Sequence, residues 1–150
     1  MTSYDFSIFQ KAGIEPAPNA IVYGIKSGLL HATAASDFEE WMITQRGIEG
    51  SSDLLICQDA ADALTALSEA GYRDDGRGAD VLRYALLASL SSQGQELLDE
   101  IEGIYADFNY PKDMEPFIYY MPSSDENSST DSLIDLFRAF LTKEKNRLNL

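Results

Sequence analysis

Cysteine, histidine and basic residues are scarce in this chain, and each shortage excludes a class of function. A single cysteine, Cys57, rules out an intramolecular disulfide framework and a cysteine-based zinc site. A single histidine, His31, rules out most histidine-cluster metal chemistry. Only 11 Lys and Arg side chains face 25 Asp and Glu, a formal net charge of −14, which argues against direct binding of nucleic acid or of an anionic membrane. No cofactor and no metal are expected.

The chain also lacks a long apolar run. No stretch approaches the roughly 15 to 20 apolar residues of a signal peptide or a membrane span, and the first ten residues contain no basic side chain. A cytoplasmic protein is therefore expected. Hydrophobic residues make up 45% of the 150 residues, which is enough for one globular core, so a single domain over 1–150 is predicted.

Helical spacing of apolar residues dominates the sequence, whereas the two-residue alternation of exposed strands is absent. The predicted helices cover residues 5–12, 18–27, 37–46, 59–70, 80–91, 95–108, 111–120 and 131–148, with a short helix or a strand at 54–57. Glycines at positions 13, 28, 47 and 71 are expected to end four of the helices. The sequence thus predicts an all-α fold, a single irregular bundle or curved stack of about seven to nine short helices.

Four local assignments depend on short patterns. Ser36, with Glu39 three residues later, is typical of a capping box, and Asp80 is predicted to cap the helix that follows it. The apolar spacing places Ala60 on the buried face of one helix and Leu136 on the buried face of the last.

The most unusual part of the chain lies between residues 104 and 122, where aromatic and acidic side chains alternate. The wider region from Glu96 to Asp135 contains 11 acids and one base, Lys112. This composition is typical of a protein-binding surface for a basic partner. The candidate binding residues are Asp99, Glu102, Asp107, Tyr110, Asp113, Glu115, Tyr119, Asp125 and Glu126. The alternative is an aromatic core in which only two tyrosines reach solvent, the core residues being Tyr105, Phe108, Phe117 and Tyr120.

The sequence signals for catalytic residues are weaker than those for a binding surface. Any two of the many carboxylates could form a hydrolase pair, but a solvated acidic surface is the commoner arrangement. Cys57 follows an apolar run, which favours a buried, inert thiol over a dyad with His31. The glycine-rich phosphate-binding motifs and the Gly-x-Ser-x-Gly motif are absent. No catalytic residue is therefore assigned.

One string carries a family likeness. Residues 104–111, IYADFNYP, followed by 114–122, MEPFIYYMP, resemble the C-terminal signature of the bacterial family known as domain of unknown function 2247. Asn109 stands where the family pattern has Asp, and residues 24–30 resemble a second element near the family's N-terminus. The family is similar in genomic role to immunity proteins of polymorphic toxin and contact-dependent growth inhibition systems.

This resemblance implies a small, non-catalytic cytoplasmic protein that binds one cognate toxin domain in a one-to-one complex. Many such toxins are nucleases with basic clefts, and an acidic inhibitor would be steered towards such a cleft. The expected partner is therefore a basic nuclease domain, with an RNase favoured over a DNase. Two alternatives remain open, a small carboxylate-dependent hydrolase and an acidic adaptor protein.

Overall fold

The computed structural model describes residues 3–47, 59–118 and 130–150, and in these ranges the chain is all-α. Seven α-helices and one 3-10 helix follow one another as α1 Ile8–Ala12, α2 Pro18–Ser27, α3 Ala34–Arg46, α4 Ala60–Glu69, α5 Gly78–Ala88, α6 Gly94–Asp107, the 3-10 helix Lys112–Phe117 and α7 Thr130–Leu148. The predicted all-α, bundle-like class is confirmed. Residues 54–57, predicted as a short helix or a strand, lie outside the described part. None of the helices described is long and apolar enough to cross a membrane.

The central element of the fold is α5. Its residues from 81 to 87 are all buried, and it packs against α1, α2, α6 and α7. A helix that is covered on nearly every side carries apolar residues around its whole circumference, unlike the amphipathic helices that surround it. The side chains of Leu82, Leu86 and Leu87 are fully enclosed.

The helices α2 and α5 approach each other closely at Gly78, the first residue of α5. A Cβ at Gly78 would lie 2.8 Å from the carbonyl carbon of Asn19 in α2, and still closer to the oxygen. Because real Cβ atoms essentially never come nearer than 3.0 Å, any larger residue would force the two helices apart. The N-terminal turn of α5 can therefore dock on α2 only as glycine.

The segment before α1 lies against the loop between α2 and α3. The backbone nitrogen of Tyr4 donates to the carbonyl of Leu29 at 2.7 Å, and His31 donates to the carbonyl of Tyr4 at 3.2 Å. These two bonds form an isolated parallel bridge rather than a strand. They fix the position of the Tyr4 side chain, which reaches across to α6.

Three predicted helix starts are wrong by up to one turn, and the first of them is α1, which was predicted from residue 5 and begins at Ile8. The structure begins α3 at Ala34, and Ser36 lies within the first turn, where its hydroxyl donates to the carbonyl of Thr33 at 2.9 Å. Likewise α5 begins at Gly78, so Asp80 lies inside the helix instead of capping it. Both α3 and α5 therefore extend N-terminal to the residue that local side-chain chemistry would favour as a cap.

Two residues predicted to be buried are exposed. Ala60 lies in the first turn of α4 and faces solvent. Leu136 retains 48% of its accessible surface, because the buried side of α7 is formed by Leu133, Phe137, Glu144 and Leu148. A carboxylate thus occupies the stripe in which only apolar residues were expected.

Glu144 is buried because a buried arginine on α5 binds it. The guanidinium of Arg83 donates to both carboxylate oxygens of Asp113 at 2.9 Å, and to Glu144 at 3.0 Å. Arg83 also lies over the ring of Phe140, 5.3 Å from its centre. Arg147 completes the set by donating to Glu144 at 2.8 Å and to Asp80 at 3.1 Å. We call these five charged residues the Arg83 cluster, and they join α5, the 3-10 helix and α7.

Gly78→Ala is expected to destabilise the protein by about 2 kcal/mol, because the added methyl group would push α2 away from α5. The matched control is Gly103→Ala in α6, where a Cβ would meet nothing within 4 Å. That control should raise the free energy of unfolding by up to about 1 kcal/mol, since glycine is a poor residue inside a helix. Urea denaturation measures both effects. Equal effects of the two substitutions would contradict the close approach at Gly78.

Glu144 gives the stability a defined pH dependence. Hydrogen bonds from Arg147 and Arg83 hold the pKa of the Glu144 carboxyl below its usual value near 4.5, although burial acts in the opposite direction. Because the folded pKa lies below the unfolded one, this stabilisation is complete above the unfolded pKa. It is lost as the pH falls through the folded pKa.

Glu144→Gln should therefore lower the free energy of unfolding by about 2 kcal/mol near neutral pH, by weakening charge-assisted hydrogen bonds. The deficit relative to the natural protein should shrink below about pH 4, where the natural carboxyl also becomes neutral. Urea denaturation at pH values above and below about pH 4 measures this deficit. The control is Glu69→Gln, which removes the same charge from an exposed position. A deficit that is independent of pH would show that the carboxylate charge is not what stabilises α7.

Candidate protein-binding surface

The helix α6 has an apolar side and an acidic side. Its buried residues are Leu97, Leu98, Ile101, Ile104 and Tyr105. Its acidic residues form what we call the acidic surface, and they are Glu96, Asp99, Glu100, Glu102 and Asp107. No Lys or Arg occurs in α6. Several of these carboxylates lie three or four residues apart and repel one another, so the arrangement does not serve helix stability.

The carboxylates of the acidic surface differ in exposure. Glu96 and Asp99 are exposed, whereas Glu100, Glu102 and Asp107 are half-buried at the edge of the core. One oxygen of Glu102 is enclosed and has no hydrogen-bond partner within the described part of the chain. The predicted candidates Asp99, Glu102 and Asp107 therefore lie on one helix, with Asp99 on its exposed side and the other two where that side meets the core.

The turn that ends α6 places two consecutive residues in the left-handed region, Asn109 with φ 63° and Tyr110 with φ 58°. The backbone nitrogen of Tyr110 donates to the carbonyl of Tyr105 at 2.9 Å, and that of Asn109 donates to the carbonyl of Ala106 at 3.0 Å. This pair of bonds is the Schellman motif, in which asparagine is the usual substitute for glycine. Asn109 therefore suits the left-handed position that this turn requires.

Tyr110 is held in place and yet faces solvent. Its ring packs edge-on against that of Tyr105, with the centres 5.2 Å apart, while 57% of the residue's surface remains accessible. A bulky residue with positive φ costs roughly 1 kcal/mol or more, so its position must be imposed by the hydrogen bonds and the ring contact around it. Tyr110 therefore forms a rigid aromatic projection beside the acidic surface.

The other aromatic residues of the predicted patch that the structure describes are placed as the aromatic-core alternative predicts. Tyr105 and Phe117 are buried, and Phe108 is half-buried against the core. Of the two tyrosines predicted to reach solvent, Tyr110 does so, while Tyr119 and the core candidate Tyr120 lie outside the described residues. The patch is therefore one exposed ring on a largely internal aromatic cluster.

Asp113 and Glu115 differ from the other candidates because they lie in the 3-10 helix. Asp113 is half-exposed, but both of its carboxylate oxygens accept hydrogen bonds from the buried Arg83. It therefore has a structural role that the sequence did not indicate. Glu115 is half-buried. The remaining predicted candidates, Asp125 and Glu126, lie outside the described residues.

Tyr4 belongs to this surface and was missed by the sequence analysis. Its hydroxyl donates to a carboxylate oxygen of Asp107 at 3.2 Å. Burial, the charge and hydrogen bond of Asp107, and the charge of Glu100 together raise the pKa of Tyr4 to about 12. Negative potential therefore extends from α6 to the N-terminal segment. No local pattern could have revealed a contact between residues so far apart in sequence.

Chemical machinery for the hydrolase alternative would require a carboxyl with a raised pKa in a catalytic arrangement. The pKa of the Asp37 carboxyl is raised, first by burial and then by the charges of Glu40 and Asp5. Asp37 lies on α3, so this shift does not mark the acidic surface as catalytic. Within the described ranges, no group of three His, Cys, Asp or Glu side chains is placed to hold a metal ion.

Comparison with known proteins gives a family but no characterised relative. The model of a bacterial family described as "Uncharacterized protein conserved in bacteria (DUF2247)" matches residues 6–145. Neither a curated protein nor a solved structure matches the chain significantly. The family match covers almost the whole sequence, including the acidic surface and Tyr110, and the chain therefore belongs to the DUF2247 family.

Proposed function

We propose that this protein is a cytoplasmic immunity protein, which binds a cognate bacterial toxin domain one-to-one and neutralises it. The toxin is a basic nuclease, with an RNase favoured over a DNase, and the acidic surface covers its substrate cleft. The observation that carries the proposal is the combination of a base-free acidic helix with a rigid, exposed tyrosine at its end.

Electrostatics supports a basic partner. The carboxylates of α6 form no ion pair within the part of the chain that the structure describes, in contrast to Asp113 and Glu144. A surface of one sign attracts a partner of the opposite sign over distances of about 10 Å and raises the association rate. A nuclease cleft must be basic to bind phosphates, and carboxylates can occupy the positions that phosphates would take.

Tyr110 adds a large, preorganised contact area to the electrostatic attraction. Tyrosine is among the residues that contribute most to protein interfaces, because a large rigid ring buries area and loses little conformational entropy. The Schellman turn and the contact with Tyr105 already fix this ring before any partner arrives. Preorganisation of that kind increases affinity, since less freedom is lost on binding.

Co-expression with the toxin domain encoded beside this gene tests the proposal, and we expect a stable, salt-sensitive complex and rescue of growth. A variant with three neutralised acids on α6 should bind with an association rate about tenfold lower at low salt. The three substitutions are Glu96→Gln, Asp99→Asn and Glu102→Gln. Stopped-flow mixing measures the rate, and the deficit should diminish as salt is added.

The matched control removes the same charge elsewhere, from exposed positions on α3 and α4. Its substitutions are Glu40→Gln, Asp62→Asn and Glu69→Gln. If the two triple variants slow association equally, net charge rather than the acidic surface steers the partner. Absence of both complex and rescue with a folded protein would overturn the proposed function itself.

Tyr110→Asn should weaken toxin binding about 30-fold, mainly through faster dissociation, because an anchoring ring is removed from the interface. Asparagine tolerates the left-handed backbone, so the melting temperature should change little. The control is Ile43→Asn, which removes an exposed apolar side chain from α3. Surface plasmon resonance on both variants distinguishes them, and unchanged dissociation in Tyr110→Asn would remove Tyr110 from the interface.

A further inference from the structure

A groove of about 510 Å³ lies between the N-terminal segment and α6. One wall is formed by residues around Tyr4, and the other by Glu100 and Gly103 of α6 and by the serines that connect α5 to α6. This volume is within the range of about 300 to 1,000 Å³ that is typical of ligand pockets, although the groove is open to solvent along one side.

Gly103 is one of the residues that line the groove, and the fold does not require a glycine there. It lies inside α6, is exposed, and a Cβ at this position would meet nothing within 4 Å. Glycine inside a helix costs up to about 1 kcal/mol relative to alanine. The absence of a side chain also allows another molecule to approach the backbone closely.

The polar groups that line the groove are mainly hydroxyl and carboxylate groups, whose oxygens can accept hydrogen bonds. The hydroxyl of Ser92 donates to one carboxylate oxygen of Glu100 at 2.7 Å, which fixes that carboxylate at the wall. Asp107 lies beside the groove and is held by the hydroxyl of Tyr4. The base among the lining residues is Lys11, on the wall that also carries the carboxylate of Asp5. The opposite wall on α6 carries the carboxylate of Glu100, which forms no ion pair within the described part of the chain.

We propose that this groove binds the guanidinium group of an arginine side chain from the basic protein partner, a proposal that rests on the proposed function. A guanidinium is planar and has five donors, so it can bind a carboxylate and neighbouring hydroxyl oxygens at the same time. The side chain would lie across Gly103 with its head group at Glu100. Tyr110 and this arginine would then hold the partner at the end and at the middle of α6.

The experiment follows amide chemical shifts of the ¹⁵N-labelled full chain during titration with N-acetyl-arginine amide. N-acetyl-citrulline amide has nearly the same shape without the charge and is the matched control ligand. We expect saturable shifts around Ser92 and Gly103 with the arginine compound, and none there with the citrulline compound. Equal shifts with both compounds, or no localised shifts, would overturn the proposal.

Variants test whether the groove itself is the site. Gly103→Leu adds a bulky side chain to the α6 wall of the groove and should weaken binding of the arginine compound about tenfold, whereas Gly103→Ala should retain it. Glu100→Gln should also weaken binding about tenfold, because a charge-assisted hydrogen bond is lost. Unchanged binding in Gly103→Leu would place the site elsewhere and overturn the assignment.

Binding measurements with the toxin domain and with the arginine compound distinguish this proposal from the proposed function. If the toxin domain binds but the arginine compound does not, the groove is not an arginine site and the immunity function is unaffected. If the arginine compound binds and no toxin complex forms, the groove is an arginine site whose natural ligand does not come from the toxin, and the immunity proposal fails.

Discussion

The burial of Arg83 is the constraint on which the rest of the structure depends. Its guanidinium lies on α5, a helix covered on nearly every side, and an unpaired charge there would cost several kcal/mol, about 3 or more. The compensating anions come from two segments that are distant in sequence, Asp113 in the 3-10 helix and Glu144 in α7. These pairs determine where both segments dock. The turn with Tyr110 is thereby held between α6 and a 3-10 helix that is itself anchored to the core.

The acidic residues of the described chain consequently fall into two groups. One group, with Asp113 and Glu144, neutralises buried arginine and would be costly to remove. The other group lies on α6, where carboxylates repel one another and no cation of the described fold pairs with them. Repulsion of this kind lowers the stability of the isolated protein, and it is relieved when a basic surface binds. Net charge alone therefore says less about binding than the distribution of charge between the two groups.

Local chemistry determined most of what could be predicted from the sequence. Both ends of α2 were predicted correctly, because a proline at its first position and Gly28 after its last act through their own backbone. The buried side of α7 was predicted less well, since Glu144 faces inward only because Arg83 is there to bind it. Asp113 was grouped with the surface acids because its partner, Arg83, is 30 residues away and no local pattern connects the two. The acidic side of α6 was predictable from composition, whereas the contribution of Tyr4 depends on a contact that no local pattern encodes.

Two residues, one inside α6 and one in its terminal turn, are less favourable for stability than a common alternative residue would be. Gly103 weakens the helix in open space, and Tyr110 takes a left-handed backbone that glycine or asparagine would adopt at lower cost. A common substitution at either position would raise the free energy of unfolding. Natural proteins break such local rules mainly at functional or strained sites, which supports the proposed binding role of this side of α6. The proposed binding side of α6 therefore combines a groove wall that carries the carboxylate of Glu100 with the exposed ring of Tyr110.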